Sequence, residues 1–125
     1  MRVLVGTDGS NGAARAIEFA ARLSRGLNAS LKIVHVVTLH DPPLDADNDY
    51  ASIARRRAEA LGAVEVQSES LAGNNIAETI LEAADRDDAD LIIVGKRGLT
   101  TLAGLLLGSV SQGLISAASR AVVVV

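Results

Sequence analysis

The sequence predicts an α/β fold with an open, five-stranded parallel sheet and helices on both faces. Short apolar runs alternate along the chain with segments whose apolar residues recur at helical spacing. Three of the runs, Val3–Val5, Leu91–Val94 and Val122–Val125, show no polar alternation, which is typical of strands buried on both faces. Strands and helices that alternate in this way form right-handed β-α-β crossovers, and such crossovers produce a parallel sheet.

The first half of the chain predicts two strands and two helices. In chain order they are a strand at Val3–Val5, a helix whose apolar face runs from Ala13 to Ser24, a strand at Leu31–Val37 and a short helix at Tyr50–Leu61. The first helix is expected to stop near Gly26. The polar, acidic segment Thr38–Asp49 contains two adjacent prolines, which indicates a loop.

The second half predicts three strands and two helices. They are a strand at Val64–Gln67, a helix that starts from Asn74 or Asn75 and runs to about Ala84, a strand at Leu91–Val94, a helix at Ser109–Ala118 and a strand at Val122–Val125. The segment Val64–Gln67 alternates between apolar and polar residues, which favours a strand at the margin of the sheet. The total is five strands and four helices.

Length and composition predict one domain and exclude several classes of protein. With 125 residues, of which 49% are hydrophobic, the chain can bury about two thirds of its extended surface in one core. The absence of cysteine excludes disulfides, thiolate chemistry and cysteine-based metal sites. A net charge of −3 and only two aromatic residues, Phe19 and Tyr50, argue against nucleic acid as a partner.

The apolar stretches of the chain are short. The N-terminal run is too short for a signal sequence, and no stretch approaches the ~18 to 20 apolar residues that span a bilayer. We therefore expect a cytoplasmic protein without a membrane partner.

A glycine-spaced loop follows the fourth predicted strand. It reads Gly95-Lys96-Arg97-Gly98, then nine residues, then Gly108-Ser109. Glycine lets a ligand approach the backbone closely, and the amides that open the next helix offer donors to an anion. This pattern predicts a binding site for nucleotide phosphates. The alternative is an ordinary strand-to-helix loop whose glycines allow tight packing.

Two loops are predicted to meet at one edge of the sheet. Ligands of open α/β sheets bind beyond the carboxyl ends of the strands. The segments Gly6–Asn11 and Gly95–Gly108 follow the first and fourth strands, so both belong at that edge. The sequence therefore predicts a single site that is built from two distant parts of the chain.

The same residues resemble the universal stress protein family over nearly the whole chain. The resemblance lies in Val5-Gly6-Thr7-Asp8-Gly9-Ser10, in Ile33-Val34-His35-Val36, in Ala89–Gly95 and in the G-x2-G-x9-G-S loop, which is associated with the ATP-binding branch. It implies strand order 3-2-1-4-5, an adenine nucleotide alpha hydrolase-like fold and a bound ATP, with Mg²⁺. It also implies a regulatory role in the stress response.

The resemblance further implies particular site residues and a dimer. Asp8 matches an acidic residue near the ribose and adenine, and Val36 matches the position whose backbone contacts adenine. The phosphate and ribose contacts match Gly95, Arg97, Gly98, Gly108, Ser109 and Val110, and Thr7 and Lys96 complete the predicted set. Two copies would pair antiparallel through Ala121–Val125, which has no charge or proline to discourage pairing.

Two features depart from the pattern of the family. Lys96 stands where the family often has a small hydroxyl residue, and the added cation favours a polyphosphate. The segment between the second and third strands is short and leaves the Tyr50–Leu61 helix about three turns. This shortening can open one wall of the adenine pocket.

Two classes of function remain open. The first is a regulatory module that binds ATP, AMP or a cyclic nucleotide and changes its surface for an unidentified protein partner. The second is a slow ATPase or nucleotidyl-transfer enzyme on the same loops. Asp8 is the only acid in either loop and the one plausible Mg²⁺ ligand, and no general base is evident. We therefore predict no catalytic residues.

Several residues also have purely structural interpretations. Asp8 can order a turn or cap the first helix, and Ser109 can serve only as an N-cap. His35 is expected to be a packed histidine rather than a catalyst. The acidic segment Asp45–Asp49 begins like a calcium loop, but Tyr50 replaces the required glycine, so a solvated loop is predicted.

Overall fold

The computed structural model describes residues 1–96 and 108–125 of the chain. In these residues the elements are β1 (Arg2–Gly6), α1 (Asn11–Leu27), β2 (Ser30–Val37), α2 (Tyr50–Ala60), β3 (Val66–Ala72), α3 (Ile76–Arg86), β4 (Leu91–Val94), α4 (Ser109–Ala117) and β5 (Ala121–Val124). None of the described helices is long and apolar enough to cross a membrane.

The strands form one parallel sheet in the order β3-β2-β1-β4-β5. β1 lies at the centre, where Val3 is in register with Leu31 of β2 on one side and Leu91 of β4 on the other. The predicted fold class and strand order are confirmed. The reversal of winding at β1 places the carboxyl ends of β1 and β4 side by side at one edge.

Helices cover both faces of the sheet, and each face has its own core. Because side chains alternate along a strand, Val5 packs towards α1 and α2 while Leu4 packs towards α3. The helical side of the first core is rich in alanine, with Ala16, Ala20, Ala54 and Ala58 all buried. Small side chains let α1 and α2 approach the sheet closely. β2 divides in the same way, so Ile33 belongs to the first core and Val34 and Val36 to the second.

The first helix is longer than predicted. It begins at Ser10, whose side chain accepts a hydrogen bond from the Ala13 amide, and it passes through Gly26 to end at Leu27. Asn28 adopts φ 52° and its amide bonds back to the carbonyls of Arg25 and Ser24. The left-handed cap of α1 is therefore formed by Asn28, two residues beyond the predicted end, and asparagine tolerates this conformation.

The third strand lies further along the chain than predicted. It spans Val66–Ala72, and Val64 stays outside it with 75% of its surface exposed. Polar residues such as Ser68 and Ser70 are half-buried in this edge strand. The alternation of apolar and polar residues at Val64–Gln67 therefore mispredicted the bounds of the strand. Pairing with β2, rather than the local alternation, determines which residues adopt the extended conformation.

The last strand differs from the prediction in its burial. β5 pairs with β4 alone within the described chain, and the residues from Val122 to Val125 are half-buried. The expectation that this strand is buried on both sides is therefore wrong. Its apolar run belongs to an edge strand.

Candidate functional site

A cavity of about 430 Å³ lies at the carboxyl edge of the sheet, where the segments after β1 and β4 meet. This volume is typical of small-ligand sites, and the position is where open α/β sheets bind ligands. The described residues that line it are Gly6, Thr7, Asp8, Ser10, Ala13, Val34, Val36, Ile76, Ile80, Val94, Gly95, Lys96, Gly108, Ser109, Val110 and Ser111.

The structure brings together eight residues of the predicted binding set. They are Thr7, Asp8, Val36, Gly95, Lys96, Gly108, Ser109 and Val110. The other two, Arg97 and Gly98, lie outside the described residues. Residues that are about 100 positions apart in the chain thus share one cavity, as the topology requires. Their roles as ligand contacts stay predictions.

Part of the cavity lining is apolar. Val34 and Val36 of β2 contribute one side, and Ile76 and Ile80 of α3 contribute another. The two isoleucines are missing from the predicted set. The sequence shows them on the apolar face of α3, but only the docking of that helix decides which apolar residues reach the cavity and which enter the core.

The start of α4 forms another part of the lining. Gly108 is the N-cap, with extended backbone at φ −64° and ψ 164°, and Ser109 is the first helical residue rather than the predicted cap. The amide of Gln112 makes the helical bond to the Gly108 carbonyl at 3.0 Å. The amides of Ser109, Val110 and Ser111 precede that bond, so they belong to the end of a helix that attracts anions.

Gly95 has a packing role that does not depend on a ligand. A Cβ at this position would lie 2.6 Å from the carbonyl carbon and oxygen of Gly12, in the first turn of α1. Only glycine allows so close an approach between the end of β4 and α1. The packing alternative therefore holds for Gly95, which also faces the cavity.

Asp8 orders the turn between β1 and α1. Its Oδ1 accepts a hydrogen bond from the Ser10 amide at 2.9 Å. Ser10, rather than Asp8, caps α1 through a 3.2 Å bond from the Ala13 amide. The amide of Thr7 donates to the Val34 carbonyl at 2.9 Å, which fixes the start of the turn to β2. The turn interpretation of Asp8 is correct, and its carboxylate still faces the cavity.

Asp8 is also the one carboxylate among the described residues that line the cavity. Nowhere in residues 1–96 and 108–125 do three His, Cys, Asp or Glu side chains form a group able to hold a metal ion. An ion that arrives with phosphates needs fewer protein ligands.

His35 lies on the face of the sheet opposite to the cavity. It is 6% exposed, and its ring packs edge-on against Tyr50 with a centroid separation of 5.2 Å. Burial lowers the pKa of His35, and the nearby carboxylates of Asp41, Asp8 and Asp49 oppose that shift in part. His35 is the packed histidine that the sequence predicted.

The short helix α2 forms no wall of the cavity. α2 packs with α1 through Ala54 and Ala58, whereas the cavity residues Val34 and Val36 face α3. None of the described lining residues belongs to α2 or to the loop before it. The effect of the short segment between β2 and β3 on the nucleotide pocket stays a prediction.

Two carboxylates of the acidic segment before α2 accept hydrogen bonds from nearby backbone amides. Asp45 Oδ1 accepts hydrogen bonds from the amides of Asp47 and Asn48, at 2.8 and 3.2 Å. Asp49 caps α2 by accepting from the Ser52 amide at 3.3 Å. These bonds are those of a solvated loop rather than of a calcium site.

Comparison with known proteins agrees with the fold. Residues 1–125 match the model of the universal stress protein family. A universal stress protein of Mycobacterium tuberculosis is 34% identical over 124 residues, which cover 86% of this chain and 84% of that protein. One from Thermus aquaticus is 32% identical over 135 residues and covers 98% of this chain and 96% of its own.

The resemblance extends to solved structures. A universal stress protein in complex with cAMP aligns with a TM-score of 0.82 at 34% identity, covering 100% of this chain and 95% of that one. A universal stress protein from Archaeoglobus fulgidus aligns with a TM-score of 0.78 at 26% identity, covering 99% and 92%. The chain belongs to the universal stress protein family.

Proposed function

We propose that this chain binds an adenine nucleotide in the cavity and acts as a nucleotide-dependent regulatory protein of the stress response. ATP with Mg²⁺ is the ligand that the residues fit best. The observation that carries the proposal is the polarity of the cavity, which is apolar at β2 and α3 and cationic or amide-rich at Lys96 and the start of α4. An adenine nucleotide has the same division, with a flat base at one end and anionic phosphates at the other.

The apolar part of the lining suits the base. Val36 and Ile76 line the cavity from β2 and α3, with the buried Val34 and Ile80 beside them, and apolar side chains of this kind would pack against a planar ring. Val36 lies at the end of β2, where backbone groups can bond to the polar edge of adenine. In this proposal Asp8, at the neighbouring turn, accepts hydrogen bonds from ribose hydroxyls.

The polar part of the lining, Lys96 and the start of α4, suits the phosphates. Lys96 supplies a point charge, and the first amides of α4 supply donors with the favourable end of the helix dipole. Mg²⁺ is usually bound through phosphates and one or two carboxylates, and Asp8 can provide one. When bound with ATP, the ion would neutralise part of the phosphate charge.

The complex of a 34% identical relative with cAMP makes a cyclic nucleotide the second candidate. ATP carries more phosphate charge than cAMP, so the two ligands depend differently on Lys96. Lys96→Ala should weaken ATP binding by about tenfold and cAMP binding much less, because a charge-assisted contact contributes about 1.5–3 kcal/mol before other costs. Calorimetric titration with each nucleotide measures both constants.

A matched control for that titration is Lys32→Ala. Lys32 pairs with Glu69 and Asp87, away from the lining of the cavity. Its loss should leave both affinities unchanged. Equal affinity of wild type and Lys96→Ala for ATP would remove Lys96 from the phosphate site.

The enzyme alternative has less support in the described residues. Hydrolysis needs a positioned water and a base, and Asp8, the one carboxylate among the described lining residues, is assigned to the ribose and Mg²⁺ in this proposal. We infer that ATP hydrolysis, if it occurs, is far slower than the ~10 s⁻¹ typical of enzymes.

We further propose a homodimer that forms through β5. The strand pairs with β4 on one side only within the described chain, and its half-buried valines carry no charge. An apolar edge of this kind is a template for another strand. Two copies of β5 that pair antiparallel across a two-fold axis would extend the sheet and satisfy both edges. We expect the dimer to act in the cytoplasm through a further protein partner.

A further inference from the structure

The ring of Tyr50 lies directly against the turn that follows β1. A Cβ at Gly9 would lie 2.6 Å from both Cδ1 and Cε1 of Tyr50 and 2.7 Å from its Cζ. No real Cβ could be so close, so the ring covers the α-carbon of Gly9. Gly9 also has φ +80°, a conformation that favours glycine.

The turn is enclosed between this ring and the cavity. Thr7, Asp8 and Ser10 line the cavity, whereas Gly9 is not among the lining residues and packs against Tyr50 instead. Two hydrogen bonds shape the turn from within: the Gly9 amide donates to Thr7 Oγ1 at 3.3 Å and the Ser10 amide to Asp8 Oδ1 at 2.9 Å. Both bonds join neighbours in the chain, so they do not stop the middle of the turn from moving away from the cavity.

Tyr50 itself is held from two sides. Its ring meets His35 edge-on, with an interplanar angle of 63°. It is the first residue of α2, whose start is fixed by two bonds from Ser52 to Asp49, at 3.3 Å from the amide and 2.8 Å from the hydroxyl. The ring is therefore a rigid support rather than a mobile surface side chain.

We propose that Tyr50 is a positioning residue of the nucleotide site, acting through Gly9 on Thr7, Asp8 and Ser10. The inference rests on the proposed nucleotide binding. A turn that is already fixed in its binding conformation loses less entropy when the ligand arrives, so affinity is higher. Without the ring, the turn can relax into the space left behind, and Asp8 leaves its place beside the ligand.

The test compares three substitutions on α2 by calorimetric titration with ATP and Mg²⁺ and with cAMP. Tyr50→Ala should raise the dissociation constant roughly tenfold. Tyr50→Phe keeps the ring carbons that contact Gly9 and should stay within about twofold of wild type. Ile53→Ala removes a 39% exposed apolar side chain from the same helix and should have no effect on affinity.

Each outcome decides the matter. Weaker binding by Tyr50→Ala with recovery in Tyr50→Phe supports the role. Unchanged affinity in Tyr50→Ala, or an equal loss in Ile53→Ala, would overturn it. If Tyr50→Ala fails to fold, Tyr50→Val, which leaves only part of that space empty, should show a smaller loss of affinity in the same direction. A wild-type protein that binds neither nucleotide would refute the proposed function itself, which separates the two failures.

Discussion

His35 links the stability of the protein to pH. Its Nδ1 is buried without a hydrogen-bond partner among the described residues, and burial holds its pKa below the ordinary 6.5. As pH falls through 6.5, the unfolded chain therefore takes up a proton before the folded chain does. The stabilisation is fully present above that pH and is lost as pH falls towards the lowered pKa.

We predict that the free energy of unfolding decreases from pH 7.5 to pH 5.5 and that His35→Leu flattens this dependence. Urea unfolding at the two pH values measures it. Asp41 and Asp49 also have lowered pKa values, but from an ordinary 3.8, so they act only in more acidic solution. Ile53→Ala, which replaces a 39% exposed apolar side chain and changes no titratable group, is the control and should keep the slope of the wild type.

Gly95 and Gly26 should respond in opposite ways to the same substitution. A Cβ at Gly95 meets the backbone of Gly12 at 2.6 Å, whereas one at Gly26 has nothing within 4 Å. Gly95→Ala should destabilise the fold by about 1–3 kcal/mol, as overpacking does. Gly26→Ala, near the end of α1, should be neutral or stabilise by up to about 1 kcal/mol. Urea unfolding at neutral pH measures the stability of both variants. A smaller loss of stability in Gly95→Ala than in Gly26→Ala would contradict the packing described for Gly95.

At the scale of the elements, the sequence predicted best where one local signal was sufficient. The apolar runs of β1 and β4 and the apolar face of α3 appear as predicted. β3 was displaced because the Leu31 amide bonds to the Glu65 carbonyl at 2.7 Å, so the partner strand sets where β3 begins. The local sequence pattern does not determine which of two neighbouring segments pairs with the partner strand.

The sequence likewise predicted only part of the candidate site. Topology alone placed Asp8 and Gly108 at one edge of the sheet, and both face the cavity. Ile76 and Ile80 could not be assigned to it, because the sequence shows only that they are apolar and share a face. The support of the Asp8 turn by Tyr50 was equally hidden, since it depends on how α2 docks onto β2.

For the whole molecule, the open edge of β5 gives a test of assembly. The Val125 amide donates a hydrogen bond to the Val94 carbonyl at 2.9 Å, so it points towards β4. Successive amides of a strand point to opposite sides, so the amide of Val124 points away from β4, to the open edge. Val124→Pro should remove an outward donor and leave the pairing with β4 in place. We predict a monomer for this variant and a dimer for wild type by light scattering.

Val124→Thr is the matched control for the assembly test. Threonine keeps the amide and the branched shape at the same position, so the dimer should persist. A wild-type protein that is monomeric at concentrations of tens of micromolar would refute the proposed interface.

Identification of the ligand that the protein retains through native purification tests whether the cavity binds an adenine nucleotide. Apolar residues, the N-terminus of α4 and Lys96 all line the cavity. A ligand with an apolar part and an anionic part should therefore remain bound. Mass spectrometry of the released ligand should find an adenine nucleotide, with the protein emptied of ligand able to rebind ATP in the presence of Mg²⁺. A protein that retains no adenine nucleotide and gives no heat of binding with ATP or cAMP would contradict the account.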